Sequence, residues 1–120
     1  MGTDVVAILD EAVGLGDVIV VVRGPGSITE VMGDLGLRRS GEWLTLGQEG
    51  GSHVHLKAAD LASARFVHLE GRNAALKFLD GSGAEMVQVS FRGTNPGRAE
   101  RYDAARVEAV RSRFGHWGDG

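Results

Sequence analysis

Cysteine is absent from this chain of 120 residues, which excludes disulfides, thiolate-bound metals, iron–sulfur clusters and thioether attachment of a c-type haem. Only 2 prolines stand against 19 glycines, a balance that suits many tight turns joining short antiparallel strands. No apolar run approaches the length of a bilayer span, the longest being Val18 to Val22, and no leader sequence is legible before it. Neither sign of charge dominates. The formal net charge is −3, so neither a nucleic-acid footprint nor membrane insertion is expected. What is left is an ordinary globular composition, 42% hydrophobic and 24% charged, in a chain long enough for one core. The expectation is a single cytoplasmic domain over residues 1–120.

The chemistry concentrates in Gly50-Gly51-Ser52-His53-Val54-His55-Leu56-Lys57-Ala58-Ala59-Asp60. On a strand, side chains alternate, so His53, His55 and Lys57 share one face while Val54 and Leu56 take the other. The apolar face must point at a core, which turns the histidines to solvent, a cleft or a partner. Histidines two residues apart can face one ligand together, or can be two unremarkable surface residues on an edge strand.

Elements are readable around this stretch. Thr3 is positioned to cap a helix over Asp4 to Val13, with Val5, Ile8, Leu9 and Ala12 on one side. Asp17 to Arg23 is a β-branched run that reads as a strand buried on both faces. Ser27 to Leu35 carries a capping-box pattern and helical spacing, yet its Ile, Thr and Val content favours a hairpin turning at Gly24-Pro25-Gly26. Strands follow over Gly41–Gly47, the histidine stretch, Ala64–Leu69, Ala74–Leu79 and Glu85–Phe91. The last three are separated by turns at Gly71-Arg72-Asn73 and Asp80-Gly81-Ser82-Gly83. Asn95-Pro96 is expected to start a helix that runs to Phe114, with Ala99, Tyr102, Val110 and Phe114 against the sheet and a frayed tail from His116. The fold class is α+β: an antiparallel sheet of hairpins with a helix at each end.

Several of these pieces, in this order, resemble the haem-utilisation carrier proteins of the ChuX and HutX type. They also resemble one half of the HemS-type hemin-transport and hemin-degrading proteins. Leu15-Gly16-Asp17-Val18 leading to Arg23 is similar to the family's opening strand, and Gly41-Glu42-Trp43-Leu44-Thr45-Leu46-Gly47 to its Gly-aromatic strand. His55-Leu56-Lys57-Ala58-Ala59-Asp60 resembles the stretch bearing the axial histidine in ChuX-like members. Ala75-Leu76-Lys77-Phe78-Leu79-Asp80-Gly81-Ser82-Gly83 is similar to the family's later hairpin. The resemblance implies non-covalent, b-type haem held reversibly by His55, in an intracellular carrier or store for haem-iron utilisation. The chain departs from the pattern at Arg23, which falls where ChuX-like relatives carry a second pocket histidine, and in its shorter helical lead. A haem carrier needs a neutral imidazole, an apolar slot and cations for two propionates. Candidates are His55 for the iron, with His53 beside it. Met32, Trp43 and Leu46 are candidate slot walls, and Arg23, Arg38, Arg39 and Lys57 candidate propionate partners.

The alternative is a mononuclear, cupin-like metal protein using His53 and His55, with Asp60 and His68 as the only further ligands in reach of the pattern. His68, between Val67 and Leu69, reads better as a satisfied structural residue. No nucleophile, acid/base pair or electron-donor site is legible, which favours a carrier over an enzyme. HemS-type chains carry two copies of this unit and a lone sheet leaves a face or edge uncovered, so a homodimer is expected.

Overall fold

The computed structural model describes residues 4–48 and 50–117; Thr3, expected to cap the first helix, lies outside them. Helix α1 spans Val5–Gly14, and its cap is Asp4, whose carboxylate accepts a hydrogen bond from the Ala7 amide. Val5, Ile8, Leu9 and Ala12 are buried as their spacing requires, together with Val13.

Eight strands follow: β1 Val18–Gly24, β2 Ser27–Gly33, β3 Gly36–Ser40, β4 Trp43–Gly47, β5 His53–Lys57, β6 Ser63–Val67, β7 Ala75–Leu79 and β8 Glu85–Phe91. They form two antiparallel sheets, one of five strands in the order β2-β1-β8-β7-β6 and one of three in the order β3-β4-β5. The β1–β2 hairpin closes between Gly24 and Ser27. Pro25 presets the second position of that turn, and Gly26 takes the third with φ +72°. Its β-branched residues pair with the central strand β1, and this tertiary partner outweighs the helical spacing of Ile28, Val31, Met32 and Leu35. Strand β3 was not anticipated; Leu37-Arg38-Arg39 has too little apolar alternation to announce it.

The core lies between the sheets. Val18, Val20, Leu76, Phe78, Val87, Val89 and Phe91 enter it from the large sheet, and Leu44, Leu46 and Leu56 from the small one. Removal of each such side chain from water contributes about 1.5–3 kcal/mol. Helix α2 closes one side, with Phe114 stacked on Phe91 at a centroid distance of 5.5 Å. The other face of the large sheet stays open as a groove of about 590 Å³, floored by Ile19, Val21, Ala75, Lys77, Gln88 and Ser90 and edged by Arg72, Arg98 and Arg101.

Two expectations for the C-terminal part are corrected. Helix α2 spans Ala104–Phe114 and begins at Asp103, not at Asn95. The Asn95 side chain instead accepts from the Gly97 amide and donates to the Gly71 carbonyl, tying two loops together. A turn built on Asn-Pro-Gly satisfies locally the groups that a helix would need. Ala99 and Tyr102 are accordingly exposed rather than packed on the sheet. Of the tail expected to fray from His116, His116 and Trp117 belong to a 3-10 turn over Gly115–Trp117, with Trp117 packed against the core; residues 118–120 lie outside the described residues.

Because the Asp103 carboxylate accepts from both the Ala105 and Arg106 amides, Asp103→Ala should cost about 1 kcal/mol in urea unfolding. Pro96→Ala should change stability by less than half of that; equal losses would place the helix start at Asn95 after all.

Candidate functional site

Cross-strand register places nine residues on the outer face of the small sheet, in three rows. Gly36 pairs with Gly47, which pairs with His53; Arg38 with Thr45 and then His55; Ser40 with Trp43 and then Lys57. The intervening residues Leu44, Leu46 and Leu56 are buried. Strand alternation therefore turns His53, His55 and Lys57 outward, and all three are exposed.

The two imidazoles meet edge to face with centroids 4.8 Å apart. His55 Nδ1 lies 3.0 Å from the Thr45 hydroxyl on the neighbouring strand. With Nδ1–H donating to that hydroxyl, Nε2 carries the lone pair and is the atom available to a metal. His53 is fixed more simply. Its Nδ1–H donates to the Gly51 carbonyl at 2.8 Å, and a carbonyl can only accept, so its Nε2 is also a lone pair. Hydrogen bonding thus fixes the tautomer of His53, while that of His55 follows from whether its Nδ1 or the Thr45 hydroxyl donates. At the far end of the face, the Lys57 ammonium sits 5.5 Å from the centre of the Trp43 ring, a cation–π distance. Trp43 is 43% exposed, so it forms an apolar wall on the surface and not part of the core.

Not every candidate joins this face. Arg38 and Lys57 do. Arg23 stands on the large sheet and lines its open groove, where its guanidinium donates to Glu85 at 2.7 Å and to Gln88 at 3.0 Å. Met32 lines the same groove, and Leu46 is fully buried in the core, so neither is a wall beside the histidines. Arg39 alternates to the other side of β3 from Arg38, and its Nε donates to the Gly41 carbonyl. His68 donates from Nε2 to the Thr94 carbonyl and accepts from Arg111 at Nδ1, a pair of structural bonds that ties β6 to α2. Sequence reasoning missed Thr45 as the partner of His55, because the pairing register of β4 with β5 is not written in either strand alone. It also missed Gly36 and Gly47 as neighbours of His53.

Among the described residues no group of three or more His, Asp or Glu side chains is placed to hold a metal ion. The cupin-like alternative therefore lacks its further ligands: His68 is committed elsewhere, and Asp60 ends a 3-10 turn over Ala58–Asp60. No helix among the described residues is long and apolar enough to cross a membrane.

The fold and this face describe an α+β protein of two packed antiparallel sheets that presents a pair of imidazoles on an open surface. The family model for haem utilisation, ChuX/HutX, matches residues 1–105, and the chain belongs to that family. Solved structures share the architecture. A crystal structure of ChuX superposes with a TM-score of 0.73 at 17% identity, over 95% of this chain and 72% of that one. A structure of the heme binding protein ChuX gives 0.68 at 19%, over 92% and 70%. A protein from Erwinia carotovora gives 0.73 at 19%, over 95% and 72%. No curated protein matches the chain.

Thr45→Val keeps the shape of β4 but removes the partner of His55 Nδ1. Imidazole nitrogen shifts should then change at His55 while those of His53 stay as they are. An unaltered His55 spectrum would show that the hydroxyl does not orient the ring.

Proposed function

We propose that this protein binds haem reversibly and without covalent attachment, as an intracellular carrier or store in haem-iron utilisation, with His55 as the axial ligand. The observation that carries the reading is an exposed imidazole whose Nδ1 is hydrogen-bonded to Thr45, in a chain of the haem-utilisation family. Haem brings an iron that accepts an axial base, an apolar macrocycle and two propionates. On this face, His55 supplies the base and Trp43 an apolar wall, while Arg38 and Lys57 are cations within the same three rows. His53 stands beside the ligand, next to the Gly50-Gly51 loop, placed to touch a propionate or to exchange with His55 during transfer. The openness of the face suits a cargo that must leave again, and no residue on it forms an acid/base pair of the kind that a degrading enzyme would use.

Hemin titration tests the assignment. Wild-type protein should give a saturable, shifted Soret band with one haem per chain. His55→Ala should abolish the ligated spectrum, and His53→Ala should only weaken affinity, by roughly tenfold or less. A wild-type spectrum in His55→Ala, or loss confined to His53→Ala, would transfer the ligand role to another residue.

We also propose a homodimer formed through the open face of the large sheet. Ile28, Met32 and Leu69 are 65%, 48% and 58% exposed. Ile28 and Met32 lie on β2, and Leu69 at the far side, after β6. Exposed apolar side chains gathered on one sheet are the usual mark of a covered surface. Glu30 lies on the β2 side of that groove, and Arg72 on the opposite side. A two-fold axis lying between the two stacked sheets and parallel to their strands sets the acidic side of one copy against the basic side of the other. Sedimentation at micromolar concentration should give a dimer that Met32→Glu converts to monomer. A monomeric wild type would remove the proposal without touching the haem reading.

A further inference from the structure

The row that runs from His53 across the small sheet contains no side chain at all on β4 or β3: the residues are Gly47 and Gly36. Together with Arg38 and Thr45 they border an open hollow of about 380 Å³, whose lining also includes Asp34, Leu37 and Gln48; Thr45 and Gly47 are the cross-strand partners of His55 and His53. The two glycines have different reasons to be there. Gly47 is required by the backbone, since its φ is +152° and a Cβ would collide with the Ser52 carbonyl and the His53 Cα. Gly36 is not. Its φ lies outside the region that favours glycine, and a Cβ built on it meets nothing within 4 Å. The backbone there accepts the Cβ of an L residue without a clash, and a β-branched residue favours a strand more than glycine does. A glycine that the fold does not need, in a strand it weakens, marks a place where something approaches the backbone closely.

On the reading that His55 holds haem, we infer that Gly36 is a specificity-determining residue: with Gly47 it forms a bare backbone shelf that admits the edge of the macrocycle. A tetrapyrrole is much wider than the spacing of about 4.8 Å between strands. One centred near His55 must therefore overhang either the free edge of β5 or the neighbouring strands β4 and β3. On that inner side lie Thr45, Gly47 and Gly36, the low part of the face, whereas Trp43 and Lys57 rise at the other end. Arg38, on the same strand as Gly36 and two residues on, borders the hollow and offers a guanidinium to a propionate that comes to rest over the shelf. A side chain at position 36 would stand in that space and keep the macrocycle off, while the imidazoles stayed exposed to anything small.

The test is a size series at one position, Gly36→Ala, Gly36→Val and Gly36→Phe, each read by hemin titration, thermal unfolding and carbethoxylation of the histidines by diethyl pyrocarbonate. Unfolding midpoints should equal or exceed that of the wild type, and the small reagent should modify the histidines at unchanged rates. Haem affinity should fall stepwise with side-chain size, by roughly tenfold or more for Gly36→Phe. Should Gly36→Phe fail to fold, Gly36→Val is expected to show the same loss in smaller degree. Wild-type affinity and an unchanged Soret band in Gly36→Val and Gly36→Phe would overturn the shelf while leaving His55 as ligand. A wild-type protein that does not bind hemin would be a separate result, removing the haem reading itself and the shelf with it.

Discussion

The burial of Leu44, Leu46 and Leu56 beneath the small sheet decides which way its other residues face. These three side chains are 0%, 0% and 7% exposed, and a one-residue slip of either strand would put them in water and the histidines in the core. The cost of such a slip is several side-chain burials, each about 1.5–3 kcal/mol. That is far more than any hydrogen bond at the surface returns. Orientation of His53 and His55 is thus a by-product of core packing, and needs no feature of the histidines themselves. Their fine adjustment is a different matter, left to Thr45 and the Gly51 carbonyl, which hold the ring positions, the carbonyl also fixing the tautomer of His53.

Two surfaces of contrasting character result from sandwiching the core between unequal sheets. The small sheet offers imidazoles, two cations and an aromatic wall around a hollow. The large sheet offers a groove of mixed character, apolar along β1 and polar at Lys77, Gln88 and Ser90, in which Arg23 is held by Glu85 and Gln88. Cations are therefore distributed between the two, and a count of arginines along the chain does not reveal which serve a ligand. Arg23 is the instructive case. The resemblance suggested a pocket position for it, yet its guanidinium is engaged with its own sheet.

On the proposed reading, ligand binding by the open face would combine firmness and release. The outward histidines keep their Nε2 atoms unpartnered among the described residues because their Nδ1 atoms take the local hydrogen bonds, an arrangement that orders the ring before a ligand arrives. The face itself stays shallow. A site built on strands is held in place by the sheet hydrogen bonds, while its exposure leaves the ligand a short way out. Both properties suit transfer from one protein to another better than they suit chemistry on the ligand, which calls for exclusion of water.

Local sequence determined most of the strands, because period-two apolar patterning and Gly-rich turns are encoded within a few residues. The strand from Glu85 to Phe91, the hairpin at Pro25-Gly26 and the outward turn of His53 and His55 were all legible. So was the kinship to the haem-utilisation family, through the stretch from His55 to Asp60 and the hairpin at Asp80. The start of the second helix was not, since Asn95-Pro96 and Asp103 are both good caps. The choice between them depended on Gly97 and on the Asn95 bond to Gly71 in a distant loop. Nor was the division into two sheets, the position of Leu46 inside the core, or the separation of Arg23 and Met32 from the histidines. Those outcomes depend on which strands pair and in what register, and pairing is a contest among long-range contacts that no short stretch records. The same register brought Thr45, Gly47 and Gly36 alongside His53 and His55. The chain thus specified its histidines locally, and only the packed sheets supplied what stands next to them.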